Sequence, residues 1–139
     1  MFILDTNVVS ELRKVALGKA NINVSLWASA IEPKVLYLSA ITIHELEVGI
    51  LQLKRRNVFS SAILRKWMDT HVLQVFADRI LPIDSTVAQR GASLHIPNTR
   101  PWADAFIAAT ALVHGMTVVT RNVSDFQSTG AAVLNPWLK

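Results

Sequence analysis

Short apolar runs rich in β-branched residues alternate with stretches of helical periodicity along the whole of this sequence, and nothing else in it restricts the fold as much. Residues 2–4, 35–39, 80–83, 117–120 and 132–134 read as strands. A strand followed by a helix and then by another strand returns parallel to the first, because the crossover helix must pack back on the sheet. Repetition of that unit predicts the α/β class: a central, mainly parallel sheet with helices on both faces. With 139 residues and no linker, repeat or low-complexity tract, a single domain over residues 1–139 is expected.

Helix boundaries follow from capping chemistry. After the strand-ending Asp5, Thr6 or Asn7 is placed to cap a first helix, and Asn23 or Ser25 a second that ends before Pro33. Thr42, with Glu45 three residues on, has the spacing of a capping box. A helix is therefore expected from there through Ile43, Leu46, Ile50 and Leu53 to the basic run Lys54-Arg55-Arg56. Ser60 or Ser61 opens an amphipathic helix with Ile63, Leu64, Trp67, Met68, Val72, Val75 and Phe76 on its apolar side. Asp84-Ser85 caps another, residues 97–101 form a loop, and residues 102–114 make the most apolar helix, ended by Gly115.

Charge narrows the partners. Fourteen Lys and Arg residues against ten acids give +4, a balance that favours a polyanion, with nucleic acid foremost. The hydrophobic fraction of 51% is rich for a soluble chain, so part of the surface is expected to be covered in a dimer or complex. Without cysteine there are neither disulfides nor thiolate metal sites, and the cytoplasm is the simplest location. Residues 105–120, free of Asp, Glu, Lys and Arg, fall short of the roughly 20 apolar residues that span a bilayer, and no export signal precedes Asp5. His44, His71, His95 and His114 lack zinc spacing.

In parallel sheets, ligands bind beyond the carboxyl ends of the strands. Asp5 ends the first strand, while Asn122 and Asp125 follow the strand at 117–120. Glu45 and Asp104 are each expected in the first turn of a helix that starts near the same edge. Carboxylates so gathered repel one another unless cations neutralise them. Magnesium takes carboxylate and water oxygens, so Asp5, Glu45 and Asp104 suffice for one ion. A two-metal site for phosphodiester hydrolysis would need a further group.

These residues lie in four segments that resemble the motifs of PIN-domain toxins of the VapC type, above all the FitB-like members. Residues 2–11, around Asp5-Thr6-Asn7, are similar to the first motif, and residues 38–49 to the second, in which Glu45 rather than Glu47 takes the place of the catalytic acid. Residues 103–111, with Asp104, resemble the third. Residues 118–126 resemble the fourth, with Asn122 where FitB-like chains often carry aspartate. Asn135-Pro136-Trp137 is similar to the FitB-like ending.

The resemblance implies a ribonuclease dependent on Mg2+ or Mn2+, acting as the toxin of a toxin–antitoxin pair. Asp5, Glu45 and Asp104 would be its metal ligands, Asn122 a fourth site residue, and Thr6, Asn7 and Thr120 supports. Asp125 is the alternative fourth acid, ranked below Asn122 because Asn122 directly follows the strand and Asp125 could cap a turn. Arg100, Trp102 and Arg121 are candidates for RNA contact. The implied partners are an RNA substrate, a small VapB- or FitA-like antitoxin covering the acidic site, a second copy of the chain, and DNA reached only through the antitoxin.

Other readings exist for the same residues. Asp5 could simply cap a helix, Glu45 complete a capping box, and Asp104 compensate a helix dipole. A protein with a weakened site could serve chiefly as a binding partner or co-repressor of a DNA-bound antitoxin. A phosphotransfer protein using Asp5 as acceptor is the third possibility, but Asn7 stands where a haloacid-dehalogenase-like motif needs a second aspartate.

Overall fold

A computed structural model of the chain describes residues 1–138. Its sheet consists of β1 (Phe2–Leu4), β2 (Leu36–Ser39), β3 (Ile80–Leu81), β4 (Thr117–Val119) and β5 (Val133–Leu134), in the order β3-β2-β1-β4-β5. All the pairings are parallel, with Ile3 opposite Tyr37 on one side and Val118 on the other. The helices are α1 (Thr6–Arg13), α2 (Ile22–Ala30), α3 (Ala40–Lys54), α4 (Val58–Trp67), α5 (Leu73–Val75), α6 (Ser85–Ser93) and α7 (Trp102–His114).

Alternation along the strands divides the core in two. Leu4 and Val119 point to one face, where Leu38, Leu46 and Met68 join them. Ile3 and Val118 point to the other, against Val87, Ile107 and Phe126. The Cα of Gly91 faces Phe106 so closely that an added Cβ would lie 3.3 Å from the ring, which lets α6 and α7 pack against each other.

The chain leaves β1 toward β2 and β3, then crosses back to the opposite side of β1 for β4. The sheet order therefore reverses between β1 and β4, and a crevice opens beyond their carboxyl ends. Asp5 and Thr120 stand there, each the residue after its strand.

Several boundaries differ from the capping arguments. Asp5 itself caps α1, its carboxylate accepting from Thr6 N–H, and Asn21 caps α2 through Asn23 and Val24 N–H. Ser39 caps α3, accepting from Ile41 N–H, so the helix begins at Ala40. Thr42 is then inside the first turn, fully buried, and Glu45 lies in the second turn rather than the first. Asn57 caps α4 through Ser60 N–H, ahead of the expected serines. The long amphipathic stretch is interrupted by a π-helical segment at Met68–Val72, which turns Met68 and Val72 into the core. Asp84 caps α6 through Val87 N–H, and Gly115 ends α7 at φ 67°, both as expected.

Candidate active site

The centre of the site is the Asp5 carboxylate, only 7% exposed. Its Oδ1 accepts from Thr6 N–H at 2.8 Å, and its Oδ2 accepts from the Thr120 hydroxyl at 2.8 Å and from Asn7 Nδ2 at 3.3 Å. Thr120, itself buried, accepts in turn from Asn122 N–H at 3.0 Å. A hydroxyl is both donor and acceptor, so Thr120 links the end of β1 to the loop after β4 with no polar group left over.

Glu45 reaches the same crevice from α3. Thr6 donates its hydroxyl to Glu45 Oε1 at 2.6 Å, and the Thr42 hydroxyl lies 3.2 Å from that of Thr6. Thr42 therefore orients the pair from beneath, a role its capping-box spacing did not reveal. Glu47 turns away to form a two-pronged pair with Arg65 at 2.6 and 2.8 Å, which holds its carboxyl below the usual range and leaves Glu45 as the acid of α3 at the crevice.

Asp104 sits in the first turn of α7. Its pKa is pushed up to about 6, first by burial and then by the negative charges of Asp5, Asp125 and Glu45, with Arg100 opposing them. Asp5 is raised as well, mainly by burial. The Thr120 hydroxyl and Thr6 N–H pull it down, and Glu45 and Asp125 add repulsion. The charges of Asp5, Glu45, Asp104 and Asp125, which come from four separate segments, are thus near enough to act on one another.

Asp125 and Asn122 are placed differently. Asn122 is exposed, and the bond it makes at the site comes from its backbone N–H rather than its amide. A single 3-10 turn at Val123–Asp125, closed by Asp125 N–H on the Asn122 carbonyl at 3.1 Å, brings Asp125 back to line a polar cleft with Asp104, Arg100 and Asn98.

Asn7 extends the network, accepting from Arg121 N–H at 3.4 Å. The Arg121 guanidinium lies 5.4 Å over the Trp137 ring, and Asn135 donates to the Arg121 carbonyl at 3.5 Å, so the terminal Asn135-Pro136-Trp137 segment buttresses this loop. Arg100 is fixed by its Nε–H, which donates to the Leu94 carbonyl at 2.7 Å. Trp102 is 74% exposed and, with His44, Glu45 and Phe106, lines an open cleft between α3 and α7. Trp27 packs edge-on against Phe2, and Trp67 lies against the core.

The donor set consists of carboxylate oxygens with hydroxyls behind them, which suits a hard divalent cation such as Mg2+ or Mn2+. Among the described residues no three acid or imidazole groups stand close enough to enclose one ion. An ion here would take one or two carboxylates and fill its other positions with water or substrate oxygens, as magnesium commonly does.

Comparison with known proteins gives consistent results. The PIN domain family model matches residues 2–131. The VapC ribonuclease Y4jK of Sinorhizobium fredii is 38% identical over 145 residues, covering 99% of this chain and 98% of that protein. Toxin FitB of Neisseria gonorrhoeae is 38% identical over 146 residues, covering 99% of each. Among solved structures, a chain in the structure of FitAB bound to the IR36 DNA fragment superposes with a TM-score of 0.88 at 37% identity, over 100% of this chain and 97% of that one.

Proposed function

The chain belongs to the PIN domain family, and on that premise we propose that it is a divalent-metal-dependent endoribonuclease, the toxin of a type II toxin–antitoxin pair. The observation that carries this reading is the gathering of Asp5, Glu45, Asp104 and Asp125 near the switch point of the sheet, where burial first and then the neighbouring negative charges raise Asp104. A bound Mg2+ or Mn2+ would offset that repulsion and supply Lewis acidity to a phosphodiester and to water. Asp5, with Glu45 or Asp104 as a second carboxylate, would hold it, and water or substrate oxygens would fill its other positions. Thr6 and Thr120 keep two of those carboxylates aimed by fixing one oxygen of each. Arg100 lines the same cleft as Asp104, where its charge would suit a phosphate of the substrate.

The partners are proposed on the same footing. An antitoxin of the VapB or FitA kind would cover the crevice and carry DNA contact, as the DNA-bound FitAB assembly suggests by its similarity. Leu26 on α2 and Leu51 on α3 are 60% and 55% exposed, apolar surface suited to a second copy of the chain. Among the described residues no helix is long and apolar enough to cross a membrane.

Incubating the purified protein with total RNA should give new ends, mapped by sequencing, in Mg2+ or Mn2+ and none in EDTA. Cleavage that persists in EDTA would remove the metal dependence, and no cleavage with either metal would remove the nuclease reading.

For the fourth position, Coulomb's law favours Asp125, whose charge is felt at both Asp5 and Asp104, over the neutral Asn122. We expect Asp125→Asn to raise the metal concentration for half-maximal cleavage about tenfold, and Asn122→Ala to change it little. Metal titration of both variants decides the matter, and the opposite ranking would restore Asn122.

A further inference from the structure

Two neighbouring grooves lie beside the crevice, and the first of them reaches Glu45. The first, about 360 Å³, starts at Thr6 and Glu45 and runs between α1, α3 and α4 past Arg13, Lys14 and Arg56, over Leu64 and Trp67. The second, about 540 Å³, shares Arg13 and Trp67 with the first and continues to Lys66 and His71. Their walls are basic and their floor is apolar.

Helix dipoles account for a cation at each helix end, since Arg13 closes α1 and Arg56 follows α3. They do not require both ends to open onto one channel. Lys14 is neutralised by Glu11 at 3.2 Å, but among the described residues Arg13, Arg56 and Lys66 have no carboxylate within ion-pair distance. Unpaired cations beside a cluster of acids create a charge step: one end of the channel attracts phosphates, and the other attracts the cations that act on a phosphate.

Resting on the nuclease reading above, we infer that this channel binds the single-stranded RNA substrate, with its phosphates on Arg13, Arg56 and Lys66 and a base against the Leu64–Trp67 floor. A strand so held leads directly to Thr6 and Glu45. A duplex buries its base faces and would leave the apolar floor unused, whereas a single strand offers both phosphate charge and exposed base faces.

The test measures anisotropy of a short, unstructured, labelled RNA titrated with the whole protein in EDTA, over about 50 to 200 mM salt. Each lost phosphate contact removes about 0.7 from the slope of log affinity against log salt for a single strand, so Arg13→Ala/Arg56→Ala should flatten it by about 1.4 and weaken binding about tenfold. Arg13→Lys/Arg56→Lys keeps the charges and should restore the slope. It also separates lost contacts from lost folding. Duplex RNA of the same sequence should compete poorly.

An unchanged slope in the folded alanine variant would overturn the inference. So would equal competition by duplex, or a variant that loses a protein partner while keeping its RNA affinity. Binding with the expected slopes by a protein that cleaves no RNA in Mg2+ or Mn2+ would instead refute the nuclease reading and leave the channel assignment standing.

Discussion

Asp104→Asn should lower RNA cleavage by at least about two orders of magnitude while making the metal-free protein more stable. The two effects share one cause. Burial, and after it the charges of three other acids, lift the folded pKa of Asp104 to about 6, above the usual 3.8. A carboxylate raised on folding binds its proton more tightly in the folded state, so it subtracts stability at any pH above both values. At neutral pH the amide removes that cost. Asp104 is only partly buried, so the gain after solvent screening is about 1 kcal/mol. Cleavage assays in Mg2+ and thermal unfolding in EDTA measure the two sides. Near wild-type cleavage, or a lower melting temperature in EDTA, would show that Asp104 is an ordinary helix residue.

Thr120→Val should act in the opposite direction on stability. The substitution preserves shape but removes the hydroxyl that donates to Asp5 Oδ2 and accepts from Asn122 N–H, at a position with no solvent access. An orphaned buried acceptor costs about 1–3 kcal/mol, so denaturant unfolding should move to a lower midpoint at constant slope. A group that aims a metal-holding carboxylate typically matters about 10- to 100-fold in metal affinity or activity. The loss should appear mainly as a higher metal requirement, partly recovered at high Mg2+. Wild-type metal dependence in a folded Thr120→Val protein would mean that Asp5 needs no such support.

Much of this arrangement could be read in advance. Strand positions follow from β-branched runs, and their order beyond one sheet edge follows from the crossover rule, so Asp5 and the residues after β4 were expected together. Asp84 was legible as a cap because its acceptor serves Val87 N–H, a local contact. Thr42 was not. A Thr and a Glu three residues apart look the same at a helix start or inside its first two turns. What decides is the Ser39 hydroxyl just upstream and the Thr6 hydroxyl 36 residues away. The choice between Asn122 and Asp125 is hard to read from the sequence for a similar reason. Position along the chain favours the residue next to the strand, whereas one 3-10 turn brings Asp125 to the cleft that Asp104 lines. The π-helical segment at Met68–Val72 had no visible signal, because it shifts a helical pattern without breaking it.

The hydrogen bond between Asp5 and Thr120 spans 115 positions, and β1 lies at the middle of the sheet with β4 beside it. Synthesis runs from the amino end, so the central strand is made first and waits for one of its two neighbours until late. Helices α1 to α6 can emerge with Asp5 and Glu45 already in place, but Asp104, Thr120 and Asp125 are still within or beyond the ribosome. On the proposed reading, a nascent chain would lack half of its acids for most of its translation, so any activity would arise only as synthesis nears its end.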